Sequence, residues 1–219
     1  MDVNLALEQY EKEVVTPLCQ LFDSFGTDKG TRYHYYSRFY NSLFKPIQQD
    51  SFSFFEMGIG TNDTSIGCHM GEDGKPGASL RAWQEYFPNT KLYAADIDPK
   101  IQFETSRIKT YCCDQTNPEA IQAMWNSPEL KDRLFRVIID DGLHELYACK
   151  VFFENSIHKL EKGGVYIVED IGVGHVVLPY LDLVKAWAIQ YPDCSFWFFY
   201  VNPVVEKTKE NWMLVCQRV

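Results

Sequence analysis

Phe135-Arg136-Val137-Ile138-Ile139-Asp140-Asp141-Gly142-Leu143-His144 joins an apolar run to two acids, a glycine and a histidine. Val137 to Ile139, with Phe135 before them, form a short apolar run closed by two acids and a glycine, the pattern of a strand buried on both faces. Ligands in an open parallel sheet gather beyond the carboxyl ends of the strands, so Asp140, Asp141 and His144 are expected to face a crevice. A second run, Val165-Tyr166-Ile167-Val168, ends in the same way with Glu169-Asp170. Four carboxylates and one imidazole at two strand ends require a cation.

From Phe52 onward the chain alternates strand, loop and helix, as an α/β protein with a parallel sheet does. Strands are expected at 52–57, 91–97, 107–113, 135–139, 165–168, 194–200 and 212–216. Helices are expected at 77–87, at 118–125, after Pro128, from about Glu145 to Leu160, and at 176–190. Glu161-Lys162-Gly163-Gly164 reads as the glycine cap of the 145–160 helix. The connection between the last two strands is too short for a helical crossover, which implies an antiparallel pair. Before Phe52, residues 3–24 read as helical with Pro17 as a kink or break, and Tyr35 to Phe44 as an aromatic-rich helix. The intervening loop, with Asp28, Lys29, Arg32 and His34 beside tyrosines, is either the lining of a pocket or a solvated connector.

The 219 residues suffice for one good core, and 46% of them are hydrophobic. No apolar run approaches the roughly 20 residues of a membrane span. The first residues lack the features of a signal peptide. Seven cysteines without a CxxC pair argue against a disulfide framework and a zinc site, and fit a reduced cytoplasmic protein. A formal charge of −9 without a dense basic cluster disfavours a nucleic-acid partner and points to a small or neutral substrate.

Glu56-Met57-Gly58-Ile59-Gly60 places an acid at the end of the first strand, followed by two glycines that let backbone approach a ligand. A dinucleotide fingerprint would open directly into its helix; here residues 61–76 form an irregular excursion first. Asp96 ends the second strand, where an acid can hold both ribose hydroxyls of a nucleotide, with Asp98 as its competitor. Asp114 ends the third strand beside Gln115 and is placed to accept from an adenine amine. His34 and His175 are further candidates among the remaining histidines.

Together these residues resemble the class I S-adenosylmethionine-dependent methyltransferases. The closer resemblance is to the metal-dependent sugar O-methyltransferases of macrolide biosynthesis, of the mycinamicin type. It is carried by Thr27-Asp28-Lys29-Gly30, Gly77-Ala78-Ser79-Leu80-Arg81-x-Trp83, Asp140-Asp141-Gly142-x-His144 and Gly163-Gly164-x-Tyr166-x-x-Glu169-Asp170. Leu143 departs from it, standing where that family commonly has a small polar residue.

The resemblance implies a Rossmann-like α/β fold with a seven-stranded, mostly parallel sheet, an antiparallel last strand and helices on both faces. Residues 1–50 would form a helical lid or cap and 51–219 the methyltransferase domain, within one compact body. It implies Mg²⁺, or Mn²⁺, on Asp141, Glu169 and Asp170, with His144 as general base and Asp141 sharing in catalysis. S-adenosylmethionine would lie against Glu56, Gly58, Gly60, Ser79, Asp96, Asp114, Gln115 and Asp140. The acceptor would be a hydroxyl of a sugar, glycoside or other small diol, without nucleic acid or membrane as partner, and the chain is a candidate homo-oligomer. Two other readings stay open: a nucleotide-binding oxidoreductase of the NAD type, and a non-catalytic module that binds S-adenosylmethionine.

Overall fold

The computed structural model describes residues 1–172, 177–203 and 210–219. The chain begins with three helices, α1 (Val3–Gln9), α2 (Pro17–Phe25) and α3 (Ser37–Phe44). It continues as β1 (Ser53–Met57), α4 (Ala78–Tyr86), β2 (Lys91–Asp96), β3 (Ile108–Cys112), α5 (Pro118–Trp125), β4 (Phe135–Asp140), α6 (Leu146–Ser156), β5 (Leu160–Gly172), α7 (Val177–Gln190), β6 (Cys194–Tyr200) and β7 (Glu210–Arg218). The seven strands form one sheet in the order β3-β2-β1-β4-β5-β7-β6. β1 to β5 pair in parallel, and β7 inserts antiparallel between β5 and β6. The expected α/β fold is therefore present, with its switch of strand order between β1 and β4. The crevice beyond their carboxyl ends is where such sheets bind ligands.

Every residue of β1 is buried, because helices cover both faces of the sheet. Phe54 points into a cluster with Phe22, Tyr40, Phe44 and Trp83, while its neighbour Phe55 points into one with Trp125, Phe152, Tyr166 and Trp187. The period-2 alternation of side chains thus feeds two cores at once. The first cluster draws on α1, α2 and α3, so the N-terminal helices share a core with the sheet.

Local differences from the sequence reading have identifiable causes. Of the two outcomes expected at Pro17 the structure has the break: α1 ends at Gln9 and Pro17 sits in the first turn of α2, whose start the Thr16 hydroxyl caps by accepting from the Cys19 amide at 3.2 Å. Residues after Pro128 form turns, with Leu130 and Lys131 amides bonding back to the Ser127 carbonyl. Glu161 to Gly164 is not a helix cap but part of β5, where Gly163 has φ +79° and the register against β4 shifts between Phe135 and Val137. The helix before it ends at Ser156, followed by a short 3-10 turn through Lys159. His175 and Val176, both named in the sequence reading, lie outside the described residues.

Candidate active site

A cavity of about 260 Å³ opens at the carboxyl ends of β1, β2 and β4. Gly58, Gly60, Ser79, Asp96, Asp114, Gln115, Asp141, His144 and Asp170 all line it, together with Thr27, Asp28 and Lys29 from the loop after α2. Residues 61–76 form the expected excursion without helix or strand. It returns so closely that the Gly77 amide bonds to the Ile59 carbonyl at 2.7 Å, which sets the first turn of α4 beside the glycine turn. Gly58 is required here: its φ is +84°, and a Cβ on it would lie 2.0 Å from the Asp141 carbonyl oxygen.

The acids of the first three strands divide by role. Asp96 accepts from the backbone amides of Ile59 at 2.9 Å and Asp98 at 3.0 Å, so it braces the glycine turn while remaining on the cavity wall. Asp98, its competitor, is turned to Thr61 and the Lys100 amide and does not line the cavity. Asp114 uses Oδ1 on Thr116 and also reaches the cavity. Gln115 bridges: its amide nitrogen donates to Asp140 at 2.5 Å and its oxygen accepts from the Leu143 amide at 2.9 Å. Asp140 therefore sits behind the cavity wall, where burial pushes its carboxyl up to about 7.

Beneath the cavity lies a buried network whose centre the sequence reading did not single out. The Lys29 ammonium is 2% exposed and contacts Asp141 Oδ2 at 2.5 Å and Glu169 Oε2, with Glu56 Oε1 at 3.9 Å. Burial pulls the lysine down, but Asp141 and Glu169 outweigh it and hold the ammonium charged. Glu169 also accepts from the Tyr40 hydroxyl, so its two oxygens face Tyr40 and Lys29. Burial drives Glu169 well above the ordinary carboxylate range. Glu56 receives the Ser79 hydroxyl at 3.0 Å and is pushed by burial up to about 8, against the pull of Lys29. Glu56 and Glu169 are both fully buried and lie outside the cavity lining.

Among the described residues, one atom each from Asp141, His144 and Asp170 lie within 4.8 Å of one another, a grouping able to hold a metal ion. His144 Nε2 stands 3.4 Å from Asp141 Oδ1 and 3.6 Å from Asp170 Oδ2, without hydrogen-bond geometry to either. Burial pulls the imidazole down, yet the flanking carboxylates raise it well above its usual value. Burial pushes Asp141 up, but Lys29 and His144 pull it well below the usual range. The facing carboxylates of Asp141 and Asp170 on the cavity wall are an oxygen donor set that fits a hard divalent cation.

Backbone irregularity produces this convergence. Successive strand residues point to opposite faces, as Asp140 and Asp141 do. Glu169 and Asp170 escape that rule because the β5–β7 register shifts between Val168 and Ile171, and because Asp170 takes φ 55°. His144, at φ 60°, is likewise in the left-handed region. Such conformations in non-glycine residues cost about 1–3 kcal/mol each and persist where the surroundings over-determine them. Asp170 is held by the Tyr36 hydroxyl at 2.6 Å and faces His34 Nδ1 at 3.2 Å, with His34 fixed by Asn211 at 2.6 Å. His34 therefore belongs to the site's support. The loop signal was visible in the sequence as Asp, Lys and His beside tyrosines; the reach of Lys29 into the acids was not.

No family model matches the chain. Solved structures do: MycE methyltransferase from the mycinamycin biosynthetic pathway, in complex with Mg, SAH and mycinamycin VI, superposes with a TM-score of 0.71 at 21% identity, over 94% of this chain and 56% of that one. The chain has the class I methyltransferase fold. Among curated sequences this methyltransferase-fold chain is 30% identical over 156 residues to demethylmacrocin O-methyltransferase of Streptomyces fradiae, covering 70% of the chain and 36% of that protein. It is 29% identical over 140 residues to 8-demethyl-8-alpha-L-rhamnosyl tetracenomycin-C 2'-O-methyltransferase of Streptomyces olivaceus, covering 63% and 33%. The chain thus resembles the sugar O-methyltransferases and spans about a third of the length of these curated relatives. These relatives are named as O-methyltransferases and give no support to the NAD-type oxidoreductase reading. No helix among the described residues is long and apolar enough to cross a membrane.

Proposed function

We propose that this chain is a metal-dependent S-adenosylmethionine O-methyltransferase whose acceptor is a hydroxyl of a sugar or other small glycoside. The observation that carries the reading is the convergence of Asp141, His144 and Asp170 on the wall of a cavity that Asp96 and Asp114 also line. The relatives' names supply the glycoside class, a rhamnosyl group in one case; the formal charge of −9 agrees with a small acceptor better than with nucleic acid.

S-adenosylmethionine supplies an electrophilic methyl group, and a divalent cation makes a bound hydroxyl more acidic. Asp96 and Asp114 would orient the nucleoside part, with the Gly58–Gly60 turn allowing its close approach. Asp141 and Asp170 would hold the metal, and Glu169 would join them if Lys29 releases it. With positive charge placed between the two carboxylates, they would no longer hold the proton on His144. The imidazole would then accept a proton from the hydroxyl, as a general base on the cavity wall does.

Calorimetry with S-adenosylmethionine, then turnover of a glycoside panel with Mg²⁺ or with chelator, tests this. Cofactor binding, and turnover lost in chelator and restored by Mg²⁺ or Mn²⁺, are expected. Cofactor binding without turnover of any hydroxyl acceptor would favour the non-catalytic module, and full turnover in chelator would remove the metal.

A further inference from the structure

The Lys29 ammonium is buried against three carboxylates, those of Glu56, Asp141 and Glu169. Its placement is built into the chain. Gly26 ends α2 in the left-handed conformation, and the Thr31 amide and hydroxyl fold back onto the Asp23 carboxylate at 2.9 and 2.5 Å. Gly30 passes so close to that carboxylate that a Cβ on it would lie 2.2 Å from Asp23 Oδ1. The Lys29 carbonyl accepts from the Ser37 amide at 2.9 Å, tying the loop to the start of α3. The lysine stem is thereby threaded inward, and its ammonium meets the Oδ2 edge of Asp141 while His144 faces the Oδ1 edge.

We propose that Lys29 is a built-in counter-ion that competes with the divalent cation for Glu169 and one edge of Asp141, and so limits how tightly metal is held. Lys29 is a positioning residue: it neutralises the acids when no metal is present and gives way, wholly or in part, when one binds. The inference rests on the metal-dependent reading above. Its physical basis is that a unit positive charge a few ångströms from a cation site opposes binding, in a low-dielectric pocket that screens it poorly. The same loop carries Asp28 and lines the cavity, so displacement of the ammonium would couple metal binding to the loop over the site.

The test is direct metal binding, by calorimetry with Mg²⁺ and by the electron spin resonance of Mn²⁺, on the whole chain without cofactor. Lys29→Met should bind metal at least about tenfold more tightly than wild type, and Lys29→Arg, which keeps the charge, should stay near wild type. Tightening distinguishes this role from a structural one, since a damaged site would bind metal more weakly. Equal or weaker binding by a folded Lys29→Met overturns the proposal while wild-type metal binding upholds the metal reading. Absence of metal binding in wild type and variant overturns both. If Lys29→Met does not fold, a crystal structure of the wild type with Mn²⁺ decides: a lengthened contact between Lys29 Nζ and Glu169 supports the proposal, and an unchanged one overturns it.

Discussion

Replacing Asp140 by Asn gives a stability prediction whose sign and size follow from the burial of one carboxyl. Asp140 is 2% exposed, behind the cavity wall, with Gln115 at 2.5 Å and the Tyr166 hydroxyl at 3.4 Å as partners. Burial raises it from 3.8 to about 7, with His144 and the Gln115 hydrogen bond opposing. Because the folded value lies above the unfolded one, the protonated acid is favoured by folding. Its contribution is complete below pH 3.8 and is lost as pH rises through about 7. At about 1.4 kcal/mol per pH unit the full swing is roughly 4 kcal/mol, of which roughly 3 kcal/mol falls between pH 5 and pH 8. Asparagine keeps the shape, still offers an oxygen to Gln115 and is neutral throughout. Urea unfolding of both proteins should show the difference in unfolding free energy moving in favour of Asp140→Asn by about that amount as pH rises from 5 to 8. A difference that stays constant across this range would refute the buried, protonated Asp140.

His144→Ala should lower turnover by roughly 10²- to 10⁴-fold, the usual worth of a general base. Cofactor affinity, measured by calorimetry, should stay within a few-fold, because His144 stands among the acids rather than beside Asp96 and Asp114. A loss of cofactor binding would instead make His144 structural. Asp96→Ala should weaken S-adenosylmethionine binding by roughly 1–3 kcal/mol through lost charge-assisted hydrogen bonds. It should also lower the thermal midpoint, since Asp96 braces the Ile59 and Asp98 amides; unchanged affinity in calorimetry would take Asp96 out of the cofactor site.

The sheet was legible because its strands carry their own punctuation. Phe135 to Ile139 and Val165 to Val168 are unbroken apolar runs closed by acids, and such runs in an alternating α/β chain admit few arrangements. The position of β7 between β5 and β6 was not legible, since an antiparallel pair at the chain's end has the same local pattern on either side. In the site, Asp141, His144 and Asp170 could be placed from strand ends alone, and the structure brings them together. Lys29 escaped because its meaning is non-local: 112 residues separate it from Asp141 and 140 from Glu169. Acids at strand ends point to a cation from outside, whereas the fold itself brings one to Asp141 and Glu169. Gln115 was singled out as a cofactor residue and does line the cavity, but its second task was not legible, as nothing local in the sequence shows that its amide fastens Asp140 to the Leu143 amide.

Asp170 shows how much of the site depends on strain held by the N-terminal segment. Its φ of 55° turns the carboxylate to the side of the sheet where Glu169 already points, at a cost of about 1–3 kcal/mol. The Tyr36 hydroxyl offsets that cost twice, donating to Asp170 Oδ1 at 2.6 Å and accepting from the Asp170 amide at 3.3 Å. Burial and the neighbouring Asp170 and Glu169 keep this phenol well above its usual value, so it remains a donor. The stacked His34 ring, 5.0 Å from that of Tyr36, holds it in place. Tyr36→Phe keeps the ring and removes the hydroxyl, which takes one partner from the buried Asp170 amide and one from Asp170 Oδ1, while His34 Nδ1 stays 3.2 Å from that oxygen. Unfolding in urea should show a loss of roughly 1–3 kcal/mol. Because Asp170 would be free to leave the position facing Asp141, Mg²⁺ affinity should fall as well, while S-adenosylmethionine affinity stays near wild type. Both losses together are required: a protein destabilised by this amount that still binds Mg²⁺ as tightly as wild type would mean that Tyr36 serves the core alone and that Asp170 keeps its conformation without it.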